Sequence, residues 1–186
     1  ANGVGVLHPH GALATDPPSL IVCDVDSTVT RTEAIDLLAE CAGNADEVRE
    51  ITARAMVGEL DFTQSLYARV RCLEGLHIGA LEEAWKATVI TPGTAELVAA
   101  AHDVGAAVGL VSGGFTAIVD PLAEQIRADF AASNELEIVD NHLTGRVVGD
   151  IIDRAAKATW LRRWASERGV ALERTIALGD GANDLD

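Results

Sequence analysis

The chain has 186 residues, 48% hydrophobic and 23% charged, enough to bury one good core and a small second unit and too apolar for a disordered polymer. A net charge of -15 excludes nucleic acid and anionic membranes as partners, because those surfaces demand a positive field, and points to a small molecule instead. No apolar run approaches the roughly 20 residues that span a bilayer, and the N-terminus lacks the basic and apolar regions of a secretory signal, so a soluble, cytoplasmic protein is expected.

Residues 1–19 are rich in Gly, His and Pro and end at Pro17-Pro18, which reads as a flexible leader or linker. The chain begins with Ala, and this segment is expected to be the exit from an upstream domain. The run Leu20-Ile21-Val22-Cys23 then predicts a short buried strand, followed directly by Asp24-Val25-Asp26-Ser27-Thr28. Alternation of side chains in an extended segment puts Asp24 and Asp26 on one face, at the strand end where open α/β sheets bind ligands, with Val25 turned to the core. Alone, the pentapeptide is equally well read as the start of a helix, since Asp26, Ser27 and Thr28 are all good N-cap residues.

From residue 32 to about 90 the pattern is helical, with no strong strand. Ala34, Leu37, Leu38 and Cys41 make one stripe; Val48, Ile51 and Ala55 a second; Phe62, Leu66, Val70 and Leu73 a third. A core unit over residues 20–31 and 91–186 is therefore expected to carry a helical insert at 32–90. It resumes at Thr91-Pro92-Gly93 with a helix to about 104, a strand at 106–111, the loop Ser112-Gly113-Gly114, and a helix with Phe115, Ile118, Val119, Leu122 and Ile126 inward. This βαβ alternation implies a doubly wound parallel sheet. Residues 134–139 and 143–148 around Asp140-Asn141-His142 predict an appended β-hairpin. A helix over 153–168 turns Ala156, Trp160 and Trp164 inward, with Lys157 beside that stripe, where a solvated lysine is the plainer alternative. A third strand, 175–178, leads into Gly179-Asp180-Gly181-Ala182-Asn183-Asp184, by itself an ordinary turn sequence. Cys23, Cys41 and Cys72 are odd in number with no CxxC spacing, so buried free thiols are expected, and the five histidines show no metal-ligand spacing.

In order and spacing, DxDST, Ser112-Gly113-Gly114, Lys157 and Gly179 to Asp184 resemble the four signature motifs of the haloacid-dehalogenase-like (HAD) phosphatases, and among them the phosphoserine phosphatase branch. The resemblance runs from Leu20 to the end of the chain. Cys23 departs from it, since an aromatic residue or Met is more usual there, but this touches packing and leaves the chemistry alone. What the resemblance implies is a Rossmann-like α/β core with a small helical cap domain over the active site, and hydrolysis of phosphoserine to serine and phosphate, the last step of serine biosynthesis. Asp24 would be the nucleophile, since a carboxylate attacks phosphorus while ionised at neutral pH and gives an aspartyl-phosphate that water then cleaves. Asp26 would protonate the leaving alkoxide and later take a proton from water, which requires a raised pKa.

Carboxylates crowded beside a phosphate dianion call for a divalent cation, and Mg2+ suits oxygen ligands. By resemblance its ligands are the Asp24 side chain, the Asp26 carbonyl, Asp180 and Asp184, with Asn183 supporting from the same loop on the substrate side. Ser112, Gly113 and Lys157 would bind the phosphoryl oxygens. Glu33 would take the substrate ammonium, Arg69 its carboxylate, and Met56 and Phe62 would form the apolar cap wall. Without the family, Thr30-Arg31-Thr32-Glu33 reads as a capping box and Arg69 as a solvated helix-face residue. The implied partner is a small phosphomonoester, with a homodimer compatible. The alternatives are a phosphatase or phosphotransferase for another small phosphomonoester, and a phospho-acceptor signalling module; the nearby acid/base Asp26 and the long helical insert argue against the second. One more helix and at least one more strand beyond residue 186 are expected to complete the sheet.

Overall fold

The computed structural model describes residues 11–181. Strands β1 (Leu20–Cys23), β2 (Ala107–Phe115), β3 (Phe130–Val139), β4 (His142–Val148) and β5 (Thr175–Leu178) form one sheet in the order β4-β3-β2-β1-β5. All neighbours pair in parallel except β3 and β4, which form the hairpin. Every residue of β1 is buried, as an unbroken apolar run in a parallel sheet should be. The registers Cys23↔Leu110 and Cys23↔Leu178 bring β1, β2 and β5 level, so the residues just after Cys23 emerge between their two neighbours.

Four helices follow β1 before the sheet resumes: α1 (Ala34–Ala42), α2 (Ala45–Met56), α3 (Phe62–Arg71) and α4 (Gly79–Ala87). Then come α5 (Thr94–Asp103) before β2, α6 (Thr116–Ile126) after it, and α7 (Arg154–Glu167) before β5. Period-2 alternation splits β1 between two layers. Ile21 and Cys23 pack with Val98, Ala101, Val119 and Leu122 of α5 and α6, whereas Leu20 and Val22 share a cluster with Trp164 and Ala165 of α7. A third cluster joins Leu38, Val48, Leu66, Val70 and Leu73 of the insert to Phe115 of β2, Ile118 of α6, and Leu136 and Leu143 of the hairpin. Among the described residues no helix is long and apolar enough to cross a membrane.

Five sequence expectations are corrected. The buried face of α1 is Ala34, Ile35, Leu38 and Ala39, because α1 packs against both α2 and α4 and so buries a wider stripe than one seam; Leu37 is half-buried. Cys41 is consequently exposed, while Cys23 and Cys72 are buried free thiols. Ser112-Gly113-Gly114 is the end of β2, with the β2–β3 register shifting between Val111 and Phe115, instead of a loop after a strand ending at 111. β3 begins at Phe130 and pairs Phe130–Ala132 with β2 before turning to β4; the run Ala131-Ala132-Ser133 carries little strand propensity, which hides it in the sequence. No capping box forms at Thr30: its hydroxyl donates to the Val25 and Thr32 carbonyls, and Glu33 itself is the N-cap of α1. The box that does form is Asp61 with Gln64, opening α3.

A candidate active site at the strand ends

Asp24 follows β1 and continues its ladder, its N–H donating to the Leu178 carbonyl at 2.8 Å. The carboxylate is only 7% exposed and accepts a 2.7 Å hydrogen bond at Oδ1 from Lys157 Nζ, itself 9% exposed. A buried ion pair needs such geometry to offset desolvation. Lys157 is brought there by its helix. Two turns later Trp164 lies so close to β2 that a Cβ on Gly109 would sit 2.7 Å from the indole, and its ring stacks on Phe130 at 5.4 Å. Asp153 caps α7 by accepting from Ala156 N–H at 2.8 Å. Lys157 is thus not the solvated lysine that its helix alone would allow.

After Asp24 the backbone turns sharply: Asp26 stays extended, and Ser27 adopts φ 60°. This aims Asp26 at the start of α1, where its Oδ1 accepts from Ala34 N–H at 3.1 Å. Burial pushes the Asp26 carboxyl up to about 6; the Ala34 N–H opposes this, Glu33 and Asp24 reinforce it, and Lys157 opposes it. Its Oδ2 lies 2.7 Å from where a Cβ on Gly114 would be, so a side chain there would push the Asp26 carboxylate aside. Ser112 is fully buried beneath, its Oγ accepting from Gly114 N–H at 2.8 Å, and it does not itself line the cavity.

These groups border a cavity of about 300 Å³. Asp24, Asp26, Gly113, Lys157 and Asp180 line its floor and rim; Glu33, Phe62 and Arg69 line it from the inserted helices. Partial burial raises the Glu33 carboxyl, with Asp36 and Asp180 adding to the rise and Arg69 and Ser27 opposing it. Burial lowers the half-buried Arg69, while Glu33, Asp36 and Asp26 support its charge. The tip of the Phe62 ring comes within 2.8 Å of the Cβ position that Gly113 lacks, so the insert touches the end of β2. Met56 is 83% exposed and is not part of the lining. Asn183 and Asp184 lie outside the described residues. Sequence reading missed Ser27, Arg154 and Ile152 as lining residues.

The lining offers carboxylates and hydroxyl or backbone oxygens, with no imidazole or thiolate. Among the described residues no three His, Cys, Asp or Glu side chains make a ready-made cage. An all-oxygen set of few protein carboxylates fits magnesium, which keeps waters and takes substrate phosphate oxygens.

Residues 21–186 match the sequence pattern of the haloacid dehalogenase-like hydrolases. The chain is 50% identical over all its 186 residues to a phosphoserine phosphatase of Streptomyces coelicolor, of which it covers 45%. It is 49% identical over 89% of its length to a phosphoserine phosphatase of Streptococcus thermophilus, covering 77% of that protein. Among solved structures it resembles a phospho-aspartyl intermediate analogue of phosphoserine phosphatase, with TM-score 0.85 and 40% identity, covering 91% of this chain and 81% of that one. The chain thus spans less than half the length of some curated relatives it matches.

Proposed function

This chain belongs to the haloacid dehalogenase-like hydrolases, and on that premise we propose that it is the catalytic part of a magnesium-dependent phosphoserine phosphatase. The observation that carries the reading is the pairing of two unlike acids: Asp24, held by the buried Lys157 ammonium, and Asp26, raised to about 6 two residues later. The names of the relatives, phosphoserine phosphatases at 49–50% identity, support the substrate. A solved relative described as a phospho-aspartyl intermediate analogue supports the covalent route.

In this reading an Asp24 oxygen attacks phosphorus, the bond from phosphorus to the serine oxygen breaks, and Asp26 delivers its proton to that oxygen. In the second half Asp26 takes a proton from water as the water oxygen attacks the aspartyl-phosphate, releasing phosphate and restoring Asp24. A pKa near neutral lets one carboxyl give and then accept. Lys157 and the backbone at Gly113, supported by Ser112 beneath it, hold the phosphoryl oxygens where negative charge develops. Magnesium, held by Asp24, the Asp26 carbonyl, Asp180 and Asp184, would supply the positive charge that lets the substrate phosphate sit among carboxylates. The helices over 32–90 act as the cap: Glu33 receives the substrate ammonium and Arg69 its carboxylate, Phe62 covers the apolar side, and Asn183 assists from the loop.

The test is phosphate release from O-phosphoserine by the purified protein with magnesium, beside a panel of other small phosphomonoesters. Hydrolysis of phosphoserine in preference to the panel, lost on chelation, is expected. Turnover of other esters with none of phosphoserine would remove the substrate and leave the phosphatase. Activity indifferent to chelation would remove the metal.

A further inference from the structure

Asn134 is 1% exposed in β3 and does not line the cavity, yet its side chain touches the two backbone segments that do. Its Nδ2 donates to the Gly113 carbonyl at 2.8 Å, and its Oδ1 accepts from Ile152 N–H at 2.8 Å. Each end of the amide is assigned by its partner, because a carbonyl can only accept and an N–H can only donate. The need arises from the sheet. The β2–β3 register shifts between Val111 and Phe115, so Gly113 sits where the regular ladder is interrupted, and a buried carbonyl must be paired. Ile152 stands one residue before Asp153, the N-cap of the helix that carries Lys157. The two segments approach closely: the Ile152 carbonyl oxygen is 3.6 Å from the Cβ position on Gly113.

We infer that Asn134 is a positioning residue for phosphoryl binding, setting the spacing between Gly113 at the end of β2 and the start of the helix that delivers Lys157. The inference rests on the reading that Gly113 and Lys157 hold the phosphoryl group. One primary amide donates to one segment and accepts from the other. An aspartate at 134 would still accept from Ile152 but would turn a lone pair on the Gly113 carbonyl, and a serine would be too short to span both. No such constraint acts on the Glu33 and Arg69 wall, which belongs to other elements.

The experiment compares Asn134→Asp with the unaltered protein and with Val119→Ala, a truncation in the α5 and α6 cluster that removes neither of these hydrogen bonds, as a control for general loss of stability. Titration calorimetry with inorganic phosphate in the presence of magnesium, and separately with L-serine, reads the two halves of the site. Phosphate affinity is expected to fall roughly tenfold or more in Asn134→Asp, the scale for a buried hydrogen-bonding group left unmatched, with serine affinity within about twofold of the parent and Val119→Ala unchanged for both. Equal phosphate affinity in a folded Asn134→Asp, or equal losses for phosphate and serine, would overturn the inference. Should Asn134→Asp not fold, Asn134→Ser carries the same expectation and the same two contrary outcomes. Phosphate is the probe because its binding does not depend on which ester is the substrate: a protein inert toward phosphoserine whose phosphate affinity still fell on changing Asn134 would sink the substrate reading alone.

Discussion

At the scale of single residues, the chemistry proposed here depends on two carboxylates two positions apart being made unlike by their surroundings. Asp24 faces a lysine ammonium at 2.7 Å, whereas Asp26 is buried beside other acids and raised to about 6. A carboxyl raised in the folded state makes a stability contribution that is full below its unfolded value near 3.8 and is lost as pH climbs through about 6. Asp26→Asn removes this ionisation. Urea melts of parent and variant should therefore diverge with pH, the variant gaining on the parent by roughly 1–3 kcal/mol between about pH 4 and pH 7. A stability difference flat across that range would mean that Asp26 is not raised. Turnover should move the opposite way, falling by about 10²-fold to 10⁴-fold as general acid/base catalysis is lost.

At the scale of elements, the helix α7 decides whether Lys157 reaches the cavity, and the tightest of the contacts that seat α7 on the sheet is between a glycine and a tryptophan. A methyl group at Gly109 would meet the rigid Trp164 ring at 2.7 and 2.8 Å, with Phe130 stacked behind it. Backbone must shift, because an indole offers no flexible end to yield. Gly109→Ala is expected to destabilise the protein by about 1–3 kcal/mol. It should also cut phosphoserine turnover by more than the loss of folded protein explains, since Lys157 moves with the helix. Thermal melts followed by assay below the transition separate the two effects. Activity at the parental level in a folded Gly109→Ala would show that Lys157 does not depend on this packing.

At the scale of the whole molecule, the inserted helices and the sheet share a core. Leu66, Val70 and Leu73 of the α3 region pack with Phe115, Ile118, Leu136 and Leu143, and the hairpin is stitched to the insert by backbone hydrogen bonds from Gly75 to Leu143, Leu143 to Leu76 and Ile78 to Asn141. Shared apolar burial makes the parts unfold together. A single urea transition is expected, coincident for the fluorescence of Trp85 in α4, with Trp160 and Trp164 replaced by Phe, and for far-UV circular dichroism. Two separate transitions would mean that insert and sheet are energetically independent.

Short-range pattern was enough for β1, α7 and β5, because an unbroken apolar run, an i, i+4 apolar stripe and a turn sequence act within a few residues of where they stand. The same local logic misread Ser112 to Gly114 as a loop, since the extra strand residues there are a consequence of how β2 meets β3. It also gave α1 a single narrow seam, although contact with two other helices widens the buried face. Lys157 remained open between a solvated lysine and an ion-pair partner until the fold set it 2.7 Å from Asp24, 133 positions away in the chain. Asn134 carried no signal at all, because an asparagine beside a predicted hairpin is ordinary and only its two distant backbone partners make it a bridge. Elements were thus written in local alternation and caps, whereas the contacts that place one element against another depend on burial, which exists only once the layers have closed on each other.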